Sequence, residues 1–195
     1  MKKYLLLSFL LITTMLRAER LVFDMSAFGI TFGKMTVERI QETDSTELYT
    51  LHAKGYLKVL WMERSDETKY EVRYLNGKLI SSGYKHYEKG QLKKWSRVQY
   101  NGNEYSVETH KGKSSFTEVP VFSVLKLHFF QPQNISRIFY EEESAFTNLN
   151  KRDANTIEIK GREGNRSVYH YENGKLKSME FHISIATVYM KLSAG

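Results

Sequence analysis

The sequence predicts an all-β protein in which a strongly curved antiparallel meander closes into a barrel or half-barrel, with one helix packed against it. Three observations support this fold class. The 195 residues include 13 tyrosines and 11 phenylalanines but only 2 prolines, and aromatic side chains pack well on a pleated sheet. Turn signals that contain glycine recur at short intervals. Helical periodicity is confined to one segment, so consecutive hairpins are the expected architecture.

Six turn signals place glycine where a hairpin needs a positive φ angle. They are LNGK at 75–78, EKGQ at 88–91, YNGN at 100–103, HKGK at 110–113, REGN at 162–165 and ENGK at 172–175. Runs rich in β-branched and aromatic residues lie around these signals and predict eleven strands. The predicted strands span 20–28, 30–40, 47–59, 68–75, 78–88, 91–100, 104–110, 138–149, 156–160, 165–171 and 176–192.

The strands predicted at the two ends of the chain change the side on which their apolar residues lie. Apolar residues alternate over 179–185 and continue on the opposite parity over 186–192, and a similar change occurs around Gly29 and Gly33. Because the side-chain period of a strand is two, such a change indicates a bulge or a strand that passes between layers. Strands of this kind suit a curved sheet, and pairing of the first strand with the last would remove its edges.

One segment, 117–132, departs from the rhythm of hairpins. Pro120 near its start suits the first turn of a helix, and Pro132 suits its end. Its apolar residues fit a helical stripe but also fit a strand, so periodicity alone leaves both structures open. We predict one helix over about 119–130.

The first 18 residues match a secretory signal peptide. Lys2 and Lys3 precede an apolar run over 4–16, and Ala18 is a small residue at the expected cleavage position. The run has 13 residues, whereas a helix that spans a bilayer needs about 20. We therefore predict that residues 1–18 are cleaved and that the protein is exported to the periplasm or the extracellular space. Residues 19–195 then form a single barrel-like domain without a transmembrane span.

Composition and charge exclude several classes of partner. The chain has no cysteine, which excludes disulfides and lipid attachment through a cysteine. The formal charge is +7, and loss of Lys2, Lys3 and Arg17 with the leader lowers it to +4. The remaining charges are interleaved in sign, so no nucleic-acid partner is predicted.

The sequence contains no pattern that predicts a catalytic, metal or cofactor site. Its six histidines are isolated from one another, so no pair has the spacing of two ligands to one metal. A nucleophile elbow and a phosphate-binding glycine loop are absent from the sequence. We predict a protein that is not an enzyme and has no metal and no cofactor. A hydrolase whose site is assembled only by the fold is the second alternative.

Six aromatic residues are the candidates for ligand binding, because a curved sheet can enclose an apolar cavity. The alternative is that these rings simply fill a densely packed core. The candidates are Tyr56, Trp61, Trp95, Tyr100, Phe129 and Phe130.

Three stretches of the chain carry a family resemblance. FSVLKLHFFQP has Phe, Ser, Lys, Phe and Pro at 122, 123, 126, 129 and 132, and GITFGK at 29–34 has two glycines four residues apart. The hairpin over 164–174 places Asn165, Tyr169 and Tyr171 between two glycines. These motifs resemble a family of exported proteins, mostly from Bacteroidota, to which no function has been assigned. The family is related to a broader group of curved sheets and barrels, and the resemblance implies no catalytic or binding residue.

These observations predict a non-enzymatic domain of the cell envelope that acts as a binding or scaffolding module. Its partner would be an unidentified envelope protein or an apolar ligand. The first alternative is a carrier that holds a lipid or another apolar molecule inside the curved sheet, with the predicted helix as a lid.

Overall fold

The computed structural model describes residues 17–59, 62–161, 164–183 and 186–193. Within them the chain forms fourteen strands and one short 3₁₀ helix, Leu125–His128, which confirms the all-β antiparallel meander. Of the predicted signal peptide, only Arg17 and Ala18 are described, at the start of the first strand. The strands are β1 (Arg17–Ala27), β2 (Ile30–Gln41), β3 (Thr46–Val59), β4 (Met62–Leu75), β5 (Lys78–Glu88), β6 (Gln91–Tyr100), β7 (Tyr105–Thr109), β8 (Gly112–Phe116), β9 (Arg137–Tyr140), β10 (Ala145–Lys151), β11 (Thr156–Lys160), β12 (Arg166–Glu172), β13 (Lys175–Ile183) and β14 (Ala186–Leu192).

The fourteen strands described form one sheet, in which consecutive strands pair with each other, except β8 and β9. The first strand also pairs with the last, because Phe23 lies opposite Leu192 and Ser26 lies opposite Tyr189. This pairing confirms the expectation for the two ends of the chain. The edges of the sheet are instead β8 and β9, which follow each other in the sequence.

The sheet is not closed into a barrel by hydrogen bonds, since no backbone ladder joins β8 to β9 among the described residues. The segment between these two strands occupies the gap. The N–H of Leu79 in β5 donates to the carbonyl of Pro120 (3.0 Å), and the N–H of Phe139 in β9 donates to the carbonyl of Phe122 (3.0 Å). The ring of Phe116 in β8 lies 5.8 Å from that of Phe139. The two edges therefore meet through side chains and an inserted segment.

The helix predicted over 119–130 is wrong, because the only helix in the described part of the chain is the 3₁₀ turn Leu125–His128. Residues just before this turn are bound to a distant strand. Ser123 forms a parallel bridge with Phe139, and the N–H of Val124 donates to the Phe139 carbonyl (3.1 Å). These long-range hydrogen bonds override the helical periodicity, which is only a weak local preference.

Two of the predicted strands are in fact hairpins. The span 176–192 contains β13 and β14, in which Ile183 pairs with Ala186, and residues 184–185 lie outside the described residues. Paired residues of an antiparallel ladder lie on the same face, so the change of parity comes from the turn and not from a bulge. The span 138–149 likewise contains β9 and β10. The short strand β8 has no counterpart among the predicted strands.

The change of parity around Gly29 comes from the β1–β2 hairpin, in which Ala27 pairs with Ile30, whereas the change back around Gly33 is a bulge, as predicted. The pairing register shifts between Met25 and Ser26, and Phe32 is the additional residue of β2. The Phe32 ring covers Gly55 in β3, where a Cβ atom would lie only 2.6 Å from the ring carbon Cδ2. Glycine is therefore required at this position for the ring to approach the backbone.

The hydrophobic core lies between the inner faces of the strands and the 3₁₀ turn. Leu125 and Leu127 of the turn are fully buried and belong to the same cluster as residues from both halves of the sheet. Burial of a side chain of this size contributes about 1.5–3 kcal/mol. The cluster includes Phe23, Val37, Tyr49, Val72, Tyr74, Val98, Tyr105, Ile157 and Tyr169. The inserted segment thus fills one part of the interior and leaves the other part open.

Candidate functional site: a cavity inside the sheet

A cavity of about 330 Å³ lies between the inner faces of the sheet. Val124, Leu125 and His128, which we call the floor, line it at the 3₁₀ turn. Most of the rest comes from β1–β6 and β12–β14, and Tyr140 of β9 and the nearby Glu142 also contribute. Small-molecule sites usually enclose about 300–1,000 Å³, so this cavity is at the lower end of that range. Protein interiors are densely packed, so an unfilled space of this size is a candidate site.

One side of the cavity, which we call the apolar wall, comes from β1–β3 and β13–β14. Successive inward positions of these strands carry small or apolar side chains, and the hairpin register places β13 and β14 with the same face inward. The apolar wall consists of Met25, Ala27, Phe32, Leu51, Ala53, Leu57, Phe181, Ile183, Ala186, Val188 and Met190.

The opposite side, which we call the charged wall, comes from β4–β6 and consists of Arg64, Asp66, Thr68, His86, Glu88 and Lys94. In β4 the inward parity of the buried Val72 and Tyr74 continues through Tyr70 to Thr68, Asp66 and Arg64. The candidate residues predicted from the sequence were aromatic, so they did not include this wall. The charged wall could have been predicted from this run of polar residues at the inward-facing positions of one strand.

The charged wall is held together by hydrogen bonds and ion pairs. Nδ1 of His86 lies 3.0 Å from the hydroxyl of Thr68, and Nε of Arg64 donates to Oδ2 of Asp66 (2.6 Å). Nε2 of His86 lies 3.6 Å from Glu88 Oε1 and 3.9 Å from Asp66 Oδ1. The side chains are therefore fixed by one another, with a histidine at the centre.

Asp66, His86 and Glu88 are also the residues with the geometry to hold a cation. Their three ligand atoms lie within 4.8 Å of one another, and Oδ1 of Asp66 has no hydrogen-bond partner among the described residues. Zinc accepts this combination of imidazole and carboxylate ligands. The ion pair between Arg64 and Asp66 already offsets one of the two negative charges, so the cluster also has an explanation without a metal.

His128 contributes an imidazole ring to the floor. Only 2 % of His128 is exposed. Its ring is packed edge to face between the rings of Phe23 and Tyr169, with centroid distances of 6.2 Å and 6.0 Å. Nδ1 of His128 lies 3.1 Å from the carbonyl of Leu125. Because burial disfavours the charged form, the pKa of His128 falls to about 4. The ring is therefore neutral at neutral pH.

Glu141 is fully buried on the side of the 3₁₀ turn that faces the core. The backbone N–H of Leu125 donates to its Oε1 (3.1 Å), which ties the first residue of the turn to the end of β9. Burial raises the pKa of the Glu141 carboxyl to about 7. This group fixes the floor and does not line the cavity.

Lys126 is a second buried ionisable residue of the turn. Its Nζ lies 3.6 Å from the centre of the Tyr74 ring, donates to the carbonyl of Val121 (3.3 Å) and lies 3.9 Å from Glu47 Oε2. Burial lowers the pKa of the Lys126 amine despite the nearby Glu47 carboxylate. A cation over an aromatic ring is an attractive contact, so Lys126 also anchors the turn.

Three of the candidate aromatic residues do not line the cavity. Tyr56 is half exposed and its hydroxyl donates to Glu63 (3.2 Å). Tyr100 is partly exposed and its ring lies 4.8 Å from that of Tyr105. Trp95 lines a larger groove of about 840 Å³ on the outer face of β3–β7, whose other residues are mainly polar or charged.

Two further candidates, Phe129 and Phe130, do not line the cavity either. Phe129 is packed against the core, with its ring 5.8 Å from that of Tyr49. Phe130 is partly exposed beneath the Arg39 guanidinium, 4.9 Å from the ring centre. Trp61 lies outside the described residues. Of the five candidates that are described, Phe129 packs against the core, whereas Tyr56, Tyr100 and Phe130 are exposed.

A hydrolase site assembled by the fold would need a histidine within hydrogen-bond reach of both an acid and a hydroxyl in a cleft. Among the described residues, two histidines lie near both groups, but His182 lies outside the cavity and His86 is 3.6 Å from its nearest carboxylate oxygen. Nδ1 of His182 lies 2.9 Å from the Thr187 hydroxyl and its Nε2 lies 2.9 Å from Glu180 Oε2. This trio does not line the cavity, because the inward residues of β13 have the other parity. The second arrangement is the one around His86 in the charged wall.

Fold and site together define an all-β protein that wraps one antiparallel meander around an internal cavity. A family model matches residues 23–193, and the chain belongs to this family, which is described as a domain of unknown function (DUF6134). The match begins within β1 and includes β2–β14 in full, and it confirms that the chain belongs to a family without an assigned function. Comparison with curated proteins and with solved structures found no match.

Within the described residues, no helix combines the length and the hydropathy that crossing a bilayer requires.

Proposed function

We propose that this protein is exported to the cell envelope and binds a small, mainly apolar ligand in the central cavity, without acting as an enzyme. The observation that carries this proposal is the cavity of about 330 Å³ bounded by the apolar wall. Its size exceeds the roughly 300 Å³ below which a small-molecule site is not expected. The leader-like first 18 residues support export.

The two walls favour a ligand that is amphiphilic. An apolar body placed against β1–β3 and β13–β14 would remove hydrophobic surface from water, which contributes about 25 cal/mol per Å². Polar groups of the same ligand would then meet the charged wall, where Arg64, Asp66 and His86 offer both donors and acceptors. The proposal is thus a carrier or sensor of a small amphiphile.

Native mass spectrometry of the full chain, purified from its own cell envelope, tests the proposal. We expect an additional mass of one small molecule, which the variant Ala53→Trp should lose because the indole would occupy the cavity. Lys54→Trp is the matched control, since Lys54 is the adjacent residue and its side chain is exposed on the outer face. A bare protein, or a ligand that both variants retain equally, would contradict the proposal.

The charged wall favours a second candidate function, a hydrolase. Thr68, His86 and Glu88 place a hydroxyl, an imidazole and a carboxylate in sequence beside the cavity, the arrangement that activates a nucleophile. In that case the wild type would hydrolyse a nitrophenyl ester, and Thr68→Val would lower the rate by about a hundredfold or more. The binding function instead expects no hydrolysis above the buffer rate by either protein.

A further inference from the structure

One polar atom at the floor of the cavity has no partner within the protein. Nε2 of His128 is buried and makes no hydrogen bond to any of the residues that the structure describes. Buried polar atoms are almost always hydrogen-bonded, because an unpaired one has lost its contact with water without compensation. His128 lines the cavity, so the cavity is where a partner for this nitrogen can be placed.

The protonation of the ring follows from its other nitrogen. Nδ1 of His128 lies 3.1 Å from the carbonyl oxygen of Leu125, and a carbonyl oxygen can only accept. Nδ1 therefore carries the hydrogen, which leaves a lone pair on Nε2 of the neutral ring. Burial keeps the ring neutral at neutral pH by lowering its pKa to about 4. Nε2 is consequently an acceptor that needs a donor.

The ring cannot easily turn to find another partner. Phe23 and Tyr169 contact it edge to face on two sides, and the bond to Leu125 joins the two ends of a single 3₁₀ turn. That turn is itself fixed by Glu141, which accepts a hydrogen bond from the N–H of Leu125, and by its own Lys126, whose amine lies over the Tyr74 ring. The acceptor is therefore preorganised, which reduces the entropic cost of binding.

We propose that the ligand is an uncharged amphiphile whose hydroxyl or N–H group donates a hydrogen bond to Nε2 of His128. Its apolar body lies along the apolar wall, and a long-chain alcohol is the simplest member of this class. A carboxylate is excluded from this position, because it has no hydrogen to donate to the lone pair of a neutral imidazole. This inference rests on the proposed binding function and adds the chemistry of the anchored end.

Titration calorimetry of the full chain with two matched probes tests the inference. Decanol has the donor, and decyl methyl ether has the same chain without it. We expect the wild type to bind decanol about five- to tenfold more tightly, the ratio that one hydrogen bond to a buried group provides. In His128→Phe, which keeps a ring between Phe23 and Tyr169, we expect equal affinities for both probes. The ¹⁵N resonance of Nε2 in the wild type should shift with decanol and not with the ether.

The outcomes separate the two proposals. Equal affinities for decanol and the ether in the wild type, with an unmoved Nε2 resonance, would overturn the His128 anchor but leave the binding function in place. Failure of both probes to bind would overturn the binding function as well. If His128→Phe does not fold, as judged by circular dichroism, the wild-type probe pair and the Nε2 resonance decide the question on their own.

Discussion

The two ends of the interior of this protein are built from the same strands but differ in how they are filled. At the core end, the inward residues Val72 and Tyr74 of β4 are fully buried against the 3₁₀ turn. At the open end, the inward residues of the same strand are Thr68, Asp66 and Arg64, and they border a cavity. The difference indicates that the core end supplies stability, whereas the open end is free to be specialised for a ligand.

The largest expected effect compares one leucine at each end. Leu127→Ala should lower the free energy of unfolding by about 2–5 kcal/mol, because it leaves a cavity in a filled core. Leu57→Ala should cost only about 1 kcal/mol, because Leu57 is half-buried beside a space that already exists. Urea denaturation of both variants measures the difference. Equal losses in the free energy of unfolding would mean that the core end and the open end do not differ in packing.

The next prediction concerns the pH dependence of the free energy of unfolding, to which one buried group on each side of the 3₁₀ turn contributes. Glu141 has a pKa near 7 in the folded protein against 4.5 when exposed. Between these values the folded protein holds a proton that the unfolded chain has released, so this group makes stability fall as pH rises from about 4.5 to about 7. The total change is about 3 kcal/mol.

His128 acts in the opposite direction. Its pKa is about 4 when folded and 6.5 when exposed, so the unfolded chain binds the additional proton and stability rises with pH over this window. Glu141→Gln should therefore become more stable from pH 4 to 6.5, whereas His128→Phe should become less stable from pH 4.5 to 7. Urea denaturation across this range measures both slopes. If the stability of Glu141→Gln depended on pH in the same way as that of the wild type, the buried Glu141 carboxyl would not be the cause of the wild-type slope.

A smaller effect concerns the bulge that shapes the apolar wall. Gly55→Ala should destabilise the protein by about 1–3 kcal/mol, because its Cβ would lie 2.6 Å from the Phe32 ring. Gly83→Ala is the matched control in another strand, where the nearest atom to a new Cβ is 3.9 Å away. It should be neutral or slightly stabilising. Thermal denaturation of the pair distinguishes contact with Phe32 from a general effect of glycine.

The smallest effect concerns the charged wall. Asp66→Asn should change the free energy of unfolding by less than about 1 kcal/mol, because its ion pair with Arg64 is partly exposed. The same substitution should change the affinity for polar amphiphiles more than the affinity for decyl methyl ether. A large loss of stability would show that the charged wall is part of the core and not of a site.

The features predicted correctly from the sequence are those that neighbouring residues determine. Asn76 and Gly77, like Asn173 and Gly174, adopt the positive φ angles of tight hairpins, so local turn chemistry locates most of the strands. The strand ending at Leu192 was misread because a hairpin turn and a bulge both shift the side-chain parity by one step. The periodicity of a single sequence does not distinguish them.

The site depends on contacts that no local pattern contains. His128 reaches the floor because Phe139 binds the backbone of the residues before it, and that pairing links parts of the chain across the gap between β8 and β9. The charged wall was discernible only as polar residues on the inward parity of β4, a pattern that equally fits an exposed strand end. Aromatic content, by contrast, mostly marks the filled core in this protein.

Methionine methyl groups offer the most direct test of the central claim that the open end binds a small apolar ligand. Met25, Met35, Met179 and Met190 all line the cavity, so ¹³C-methyl NMR during a decanol titration observes the site from several sides. We expect these four resonances to shift together and to saturate at one ligand per protein. Unchanged methionine resonances, or shifts that never saturate, would contradict the claim.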